Sequence, residues 1–212
     1  MTISKGEAWG EPLPAPGDMP EGIVIAHDDP ELASLAAASV VGDSFIALGA
    51  DRRAGSNRLR GDVARTLGVD RERETGERLG YRFDLGFAEL DGSRTIPFIA
   101  HLVARGRFWG GEVAVAMNCA WMGPYYLGPR AHPNDGLLDL TVGRLRPSQR
   151  WLARGRARSG SHLPHPDLST SRRASWEHRF ERSTQVYADG VAVGVASSIR
   201  LWLEPDCFTL LA

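Results

Sequence analysis

Lysine is almost absent from the sequence. Among 212 residues and 25 basic side chains, Lys5 is the one lysine, and it lies in a polar N-terminal stretch. Catalysis through a lysine amine is therefore nearly excluded. The other basic residues are arginines, whose planar forks suit carboxylates and phosphates. A bias of the genome against lysine codons explains the same composition, so the arginine content alone assigns no function.

Cysteine and long apolar runs are scarce as well. Cys119 and Cys207 are too few for a disulfide framework, and they indicate reduced, buried thiols in a cytoplasmic protein. The N-terminus has neither the basic nor the apolar region of a signal peptide. The longest uncharged stretch, Val113 to Pro129, contains glycine and proline and falls short of the ~20 apolar residues of a membrane span.

An excess of positive charge is also missing. The 25 basic and 26 acidic residues give a formal net charge of −1, which argues against a nucleic acid as the main partner. Hydrophobic residues make up 42% of the chain, an ordinary value for a folded globular protein. The composition therefore predicts one domain, or one domain and a small second one.

The first third of the chain has the pattern of alternating strands and helices. Residues 1–21 are rich in proline, glycine and acidic residues and are predicted to be a flexible lead-in. Pro30 fits the first turn of a helix that Asp29 can cap, and Gly68 is placed to end a second helix. We expect a small α/β segment over residues 22–78. Its predicted strands are 22–27 and 45–50, and its second helix is 62–68.

The pattern changes near residue 79 to short runs of alternating or β-branched residues separated by turn signals. Such spacing is typical of an antiparallel sandwich or barrel. A helix capped by Ser148 is expected within residues 146–160. The sequence thus predicts an α+β protein, with an antiparallel β-sandwich over residues 79–212 and a small remnant α/β segment before it. The turn signals are Asp91-Gly92, Gly110-Gly111, Asp189-Gly190 and Pro205-Asp206.

The stretch from Asn118 to Asp139 is the densest in glycine, proline, aromatic and polar side chains. A plain hairpin does not need so long a connection, and long loops on a rigid sheet often carry function. Asp135 and Asp139 are hard oxygen ligands of the kind that Mg²⁺ prefers. A tight turn at Asn134-Asp135-Gly136, with Asp135 bonded to its own backbone, explains the same residues.

These residues resemble a motif of the diacylglycerol and sphingoid-base lipid kinase family. That family has an asparagine ending a strand, a glycine-bearing loop, a Pro-x-Ala element and an Asp-Gly-x-Leu-Asp segment. The resemblance extends over residues 60–212, and the Asp-Gly-x-Leu-Asp segment is its most specific part. The matching positions are Asn118, Gly123, Gly128, Pro129-Arg130-Ala131, Asp135 to Asp139, Asp189-Gly190, Gly61 to Gly68 and Asp84-Leu85-Gly86.

The resemblance implies a nucleotide-binding α/β domain followed by a β-sandwich, with ATP and lipid meeting between them. It implies transfer of the γ-phosphoryl group of Mg-ATP to a lipid hydroxyl. Asp28 is then the candidate proton acceptor. Asn118, Gly123 and Arg65 are the candidate cofactor-binding residues. Asp135 and Asp139 are the candidate Mg²⁺ ligands, at a site that braces the two domains in many bacterial members.

The sequence departs from the family at two places that matter for chemistry. The family's Gly-Gly-Asp-Gly-Thr phosphate loop is replaced by Ala26 to Pro30, in which Asp28 remains and Asp29 adds a second acid. Val191 stands where the family has a glutamate.

Three functions stay open. They are a divergent lipid kinase, a non-catalytic lipid- or metabolite-binding protein, and a subunit completed by a homodimer or a partner chain.

Two further groups of side chains have a possible link to lipid. The arginine-rich tract Arg144 to Arg158 suits anionic headgroups in a peripheral membrane contact, with Trp151 and Leu152 entering the interface, but it also fits a solvated face. Aromatic residues that suit either an acyl-chain cleft or the sandwich core are Trp109, Trp121, Tyr125, Tyr126, Trp176 and Trp202.

His101 lies within a run of residues that is predicted to be a strand, and we expect it to be an ordinary residue on one face of that strand.

Overall fold

The computed structural model describes residues 9, 11–12, 23–39, 44–49, 61–69 and 79–212, and β-strands predominate in these ranges. The helices are α1 (Asp29–Ala38), α2 (Asp62–Leu67) and α3 (Pro147–Ala157), with one 3-10 turn at Arg107–Trp109. The strands are β1 (Glu11–Pro12), β2 (Val24–Ala26), β3 (Phe45–Leu48), β4 (Leu79–Leu90), β5 (Arg94–Phe98), β6 (His101–Ala104), β7 (Val113–Met117), β8 (Leu138–Gly143), β9 (Leu168–Arg173), β10 (Ser175–Ala188) and β11 (Val191–Leu211).

Hydrogen bonds join these strands in the order β1-β4-β11-β10-β6-β7-β8-β9, with β5 beside β4. Every neighbouring pair in this path is antiparallel. At one side β3 pairs in parallel with the end of β11, and β2 pairs in parallel with β3. The parallel strands of the predicted 22–78 segment therefore continue the antiparallel sheet of the predicted 79–212 segment, and the boundary between the two stays a prediction.

The sheet is packed as a sandwich because its long strands contribute to two cores. Ala88 and Leu90 of β4 belong to a core that also takes residues from β5 to β8, β10 and β11. Phe83 and Leu85 face the other way and pack with α1, β2 and β3. Alternate residues of a strand point to opposite faces, so one strand supports both layers. The predicted α+β class with a β-sandwich is confirmed.

One predicted turn is wrong, and one strand is missing from the prediction. Pro205-Asp206, predicted as a turn between strands, lies inside β11, where the pairing with β4 shifts register between Glu204 and Phe208. Asp206 has a φ of 50° there, so the local signal marks a bulge and not a chain reversal. Strand β9 is missing from the prediction because its sequence, LSTSRR, has no apolar alternation.

The helix starts explain where several acidic side chains lie. Asp28, not Asp29, caps α1, because its Oδ1 accepts a hydrogen bond from the backbone N of Glu31 at 2.9 Å. Asp29 is thereby the first helical residue, and its side chain is buried. Helix α2 begins at Asp62 and ends at Gly68, whose φ of 73° is the left-handed cap that the sequence predicts. Helix α3 begins at Pro147, so Ser148 lies inside its first turn.

The N-terminal residues that the structure describes are held against β4. Trp9 packs on Tyr81 and Phe83, with ring centroids 5.1 and 5.2 Å apart, and its Nε1 donates to the carbonyl of Arg82 at 3.1 Å. Strand β1 pairs with β4 beside it. The other residues of the predicted lead-in, 1–21, lie outside the described residues. No helix within the described ranges has both the length and the apolar character of a membrane span.

Candidate functional site

Three carboxylates and an imidazole come together where α1 and α2 face the first residue of β6. Asp62 is the first residue of α2, and its backbone N donates to the Oδ2 of Asp29 at 2.6 Å. The first N–H groups of a helix have no partner within the helix, so a carboxylate supplied from α1 satisfies one of them. The Nε2 of His101 lies 2.9 Å from the Oδ2 of Asp62. We call Asp29, Asp62, His101 and Asp189 the carboxylate cluster.

Asp189 closes the carboxylate cluster from the turn between β10 and β11. Its carboxylate accepts hydrogen bonds from the backbone N of Ile99, Ala100 and His101 at 2.8, 2.8 and 2.9 Å. Its φ of 46° places this aspartate in the left-handed region, as a two-residue Asp-Gly hairpin turn requires. The carboxylate therefore fixes the bend that leads from β5 into β6 and sets the position of His101.

Burial changes the proton affinities of these groups. Burial raises the pKa of Asp29 to about 7, with a further contribution from the charge of Asp189. Burial also raises the pKa of Asp189, against the effect of His101 and the three backbone donors. For His101, burial lowers the pKa, but the hydrogen bond to Asp62 and the nearby carboxylates outweigh it and the net shift is upward. The carboxylate cluster therefore holds at least one group, Asp29, whose protonation changes near neutral pH.

Two polar atoms of the carboxylate cluster are buried without a hydrogen-bond partner among the described residues. They are the Oδ1 of Asp29 and the Nδ1 of His101. Gly61 approaches Asp29 so closely that a Cβ at this position would lie 2.3 Å from that Oδ1, and its φ is 114°. Only glycine therefore fits between the carboxylate and the start of α2.

Two of the three predicted cofactor-binding residues are brought together. The Nη1 of Arg65 donates to the carbonyl of Gly123 at 2.7 Å, and the guanidinium lies 3.8 Å from the ring centroid of Trp121. The backbone N of Gly123 donates to the Oδ1 of Asp62 at 2.6 Å. These contacts tie the glycine-bearing loop to α2 beside the carboxylate cluster.

Asn118, the third predicted cofactor-binding residue, is fully buried at a junction of chain segments. Its amide N donates to the carbonyls of Asp84 and Ile99 at 3.0 and 2.8 Å. Its Oδ1 has no partner among the described residues. The side chain thus connects β4 to the bend between β5 and β6, and its role in binding a cofactor stays a prediction.

The predicted metal ligands Asp135 and Asp139 share a guanidinium. The Nη2 of Arg172 donates to the Oδ2 of Asp135, and its Nε donates to the Oδ1 of Asp139 at 2.8 Å. The Nε of Arg130 lies 3.9 Å from the Oδ2 of Asp139. The charge that a Mg²⁺ ion would bring is already supplied by arginine. Arg172 occupies both carboxylates in this structure, and the role of Asp135 and Asp139 as Mg²⁺ ligands stays a prediction.

Asp84, noted in the sequence only as part of an Asp-Leu-Gly match, braces the same loop. Its two carboxylate oxygens accept from the backbone N of Gly136 at 2.7 Å and of Asp206 at 2.9 Å. Burial raises its pKa to about 6 despite these two hydrogen bonds. Asp84 thereby joins the Asp-Gly-Leu-Leu-Asp segment to the bulge in β11.

Ala26 to Pro30 stand where the sequence resemblance places the phosphate loop of the lipid kinases. Backbone N–H groups of this segment and of the start of α1 are bonded to nearby carboxylates. Asp28 is exposed and occupied as the cap of α1, and the backbone N of His27 donates to the Oε2 of Glu31 at 2.7 Å. A phosphate at this helix start would need these backbone donors and would meet the two negative charges of Asp28 and Glu31. The described part of this loop does not fit the phosphates of ATP. The role of Asp28 as proton acceptor stays a prediction.

A large cavity of about 960 Å³ lies between α3 and the sheet. Its floor comes from β7, β8 and β10, and its other walls come from α3 and from the loop that carries Met122, Tyr125 and Leu127. Of the six aromatic residues named in the sequence, Trp109 and Tyr125 line it. Trp121 packs against Tyr126 with the ring planes tilted by 43°, Trp202 stacks on Phe87, and Trp176 stacks on His178. The other four of the six lie outside the cavity lining, and an acyl-chain cleft stays a prediction.

The charged side chains that line this cavity are all arginines. Arg105, Arg107, Arg150 and Arg154 line it, and no acidic residue does so in the described part of the chain. The guanidinium of Arg105 lies 4.4 Å from the ring centroid of Tyr187. His162 is buried in the wall, burial lowers its pKa, and its Nδ1 has no partner in the described ranges.

The residues that the sequence analysis missed are the ones that long-range contacts bring together. The sequence predicts Asp29 as a helix cap and His101 as a strand-face residue, yet both belong to the carboxylate cluster. One local signal was available: two consecutive acids precede α1, and only one of them can cap it. No local signal distinguishes His101 from any other histidine in a strand.

Comparisons with known proteins identify the fold. No family model matches the sequence, and no curated protein matches it. Among solved structures, a protein from Bacillus anthracis str. Sterne provisionally assigned as a diacylglycerol kinase aligns with a TM-score of 0.59 and 12% identity, over 89% of this chain and 77% of that one. Another structure from the same organism, described as a diacylglycerol kinase, gives 0.52 and 12%, over 79% and 68%. The chain therefore has a lipid-kinase-like fold, and the predicted resemblance is confirmed at the level of the fold.

Proposed function

We propose that this protein binds a lipid-like amphiphile, with the apolar chain of the ligand in the cavity beneath α3. The cavity carries the proposal. Its volume of about 960 Å³ is at the upper end of the ~300–1,000 Å³ of ligand cavities, and its walls are mainly apolar. Val113, Val115 and Leu127 supply aliphatic surface, and the lipid-kinase-like fold is consistent with a lipid ligand.

The geometry of β6 relates this cavity to the carboxylate cluster. His101 and Val103 lie on the same face of β6, and Arg105 follows on that face and lines the cavity. Four residues of strand span ~13 Å. A ligand whose chain fills the cavity would thus have its polar end within a molecule's length of the carboxylate cluster. The loop carrying Met122 and Gly123 touches both sites.

The residues at the start of α1 and at position 191 favour ligand binding without phosphoryl transfer. The backbone donors at the start of α1 are taken by Asp28 and Glu31, and Val191 is an exposed apolar residue where the family has a carboxylate. Arg172 already neutralises the Asp135–Asp139 pair that the sequence predicts as Mg²⁺ ligands, which also favours binding without phosphoryl transfer.

A binding assay with the full chain tests the proposal. A fluorescent long-chain fatty acid is the probe, and organic extraction followed by mass spectrometry identifies lipid that co-purifies. Thr141→Trp would fill part of the cavity from its floor and is expected to weaken probe binding by about tenfold. The matched control is Ser169→Trp, at an exposed position of β9. Equal binding by the two variants, or none by the unmodified chain, would contradict the proposal.

Phosphoryl transfer to a lipid hydroxyl is the second candidate, and one observation favours it. Asp29 has a pKa of about 7, which suits a group that accepts a proton at neutral pH. Transfer of labelled γ-phosphate from Mg-ATP to a lipid extract is the assay, with Asp29→Asn and Asp28→Ala as variants. Transfer lost in Asp29→Asn alone would support a kinase that uses Asp29. Transfer lost in Asp28→Ala alone would support the role predicted for Asp28.

A further inference from the structure

Helix α3 leaves its large apolar side chains in water. Trp151 is 74% exposed and Leu152 62% exposed, and Ala157 is the one residue of α3 that is buried. Phe108, in the neighbouring 3-10 turn, is also 74% exposed. Phe108 and Trp151 both line the cavity while they are exposed to solvent, so both lie where the cavity meets solvent, which we call its opening. Exposed apolar side chains of this size, gathered at one place, indicate a surface that is covered in use.

The same segment carries positive charge, most of which has no acidic partner in the part of the chain that the structure describes. No acidic residue lies between Asp139 and Asp167, whereas that interval holds six arginines. One of them, Arg144, pairs with Glu181, and the side chains of Arg150 and Arg154 bond only to the carbonyl of Leu145 and the hydroxyl of Tyr125. Among the described residues the others have no acidic partner. The six are Arg144, Arg146, Arg150, Arg154, Arg156 and Arg158.

We propose that this face of α3, together with Phe108, docks the protein on an anionic lipid bilayer. Arginines are drawn to anionic headgroups, and aromatic and aliphatic side chains gain by leaving water for the interfacial region. A nucleic acid would engage the arginines but would offer no apolar phase to Leu152. The mixture of unpaired arginines and exposed Trp151, Leu152 and Phe108 therefore favours a bilayer.

Docking in this orientation sets the cavity opening on the bilayer surface. Phe108 and Trp151 flank that opening, so a lipid chain can pass between the bilayer and the cavity without crossing water. This part of the inference rests on the proposed function, whereas the docking itself does not. The docking depends only on exposed side chains and their charge.

Flotation of the full chain with vesicles tests the docking. The vesicles are neutral phosphatidylcholine, alone or with about a third phosphatidylglycerol. We expect about tenfold stronger binding to the anionic vesicles at about 0.1 M salt, and loss of most of it at about 0.5 M salt. Equal binding to both vesicles, or binding that salt does not change, would overturn the proposal.

Two variants separate the contribution of the arginine charges to vesicle binding from that of apolar side chains that enter the bilayer. Arg156→Gln/Arg158→Gln changes exposed side chains that do not line the cavity, and we expect at least about fivefold weaker vesicle binding. Leu152→Ser, also outside the cavity, is expected to weaken it about threefold or more. The matched control is Arg173→Gln/Arg182→Gln, the same change of charge at exposed positions of β9 and β10. A control that loses as much binding as the α3 variants would contradict the assignment of the surface.

Two further measurements keep the proposals distinct. Binding of the soluble fatty-acid probe without vesicles is expected to be unchanged in Arg156→Gln/Arg158→Gln. Vesicle binding without probe binding would leave the docking in place and overturn the proposed function, and the reverse result would overturn the docking. Duplex DNA is the competitor, and tighter binding to DNA than to anionic vesicles would identify a nucleic-acid surface and overturn the proposal.

Discussion

The Nε2 of His101 lies 2.9 Å from the Oδ2 of Asp62, although 39 residues separate them in the chain. The contact joins the first residue of β6 to the first residue of α2. Because His101 is buried, its charged form exists only with a carboxylate beside it. The pair thus links the protonation of His101, in the sandwich, to the position of α2, in the predicted α/β segment.

The pH dependence of stability follows from these groups. The pKa of Asp29 in the folded chain is about 7 and that of Asp84 about 6, both above their ordinary 3.8, and that of His101 is raised as well. At these three groups the folded chain binds more protons than the unfolded chain above about pH 4, so the stability that they contribute falls as pH rises towards and through 7. The lowered pKa values of His132 and His162 act in the opposite direction below about pH 6.5, so urea unfolding between about pH 6.5 and 8 measures the fall. A free energy of unfolding that rises across that window would contradict it.

Two aspartate-to-asparagine changes should have opposite effects. In Asp29→Asn, one oxygen still accepts from the backbone N of Asp62, and a buried charge is lost, so we expect greater stability at about pH 8 by ~1–2 kcal/mol. In Asp84→Asn, one of the two backbone donors, from Gly136 or Asp206, would face an NH₂ group. We expect a loss of ~1–3 kcal/mol. Chemical denaturation measures the change in the free energy of unfolding of each variant. Changes of the same sign would refute the hydrogen bonds assigned to Asp29 and Asp84.

Removal of Arg172 should make the stability of the protein depend on a cation that neutralises Asp135 and Asp139. Arg172→Ala leaves Asp135 and Asp139 without their shared partner, and we expect ~1–2 kcal/mol of lost stability at pH 7. Millimolar Mg²⁺ should restore part of it in the variant and have no effect on the unmodified chain. Arg173→Ala, at the exposed neighbouring position, is the control. Stabilisation of the unmodified chain by Mg²⁺ would instead support the metal site predicted from the sequence.

Two glycines should respond in opposite ways to alanine. A Cβ at Gly86 would lie 2.4–2.7 Å from ring atoms of Phe98, which is fully buried, so Gly86→Ala is expected to destabilise the sandwich by ~1–3 kcal/mol. Gly155 has no atom within 4 Å of such a Cβ and lies inside α3, so Gly155→Ala is expected to add ~0.5–1 kcal/mol. Thermal unfolding of both variants tests the packing of the sandwich and the state of α3 together.

The sequence by itself determined the features that depend on near neighbours. Alternation of apolar residues from residue 79 onward, with Asp-Gly signals at the turns, indicated the antiparallel strands. Gly68 indicated the end of α2, and the Asp-Gly-Leu-Leu-Asp segment identified the loop that enters β8. Each of these rests on backbone preferences that extend over only a few residues.

Only the tertiary structure decided which polar groups meet. Asp28 became the cap of α1, so Asp29 turned inward, and the pairing of β3 with β11 joined its helix to the sandwich. Asp62 then reached His101, and Arg172 took the two aspartates that the sequence assigned to a metal. Side-chain partners far apart in sequence are selected by the packing of whole elements, and the proton affinities follow from the burial which that packing creates.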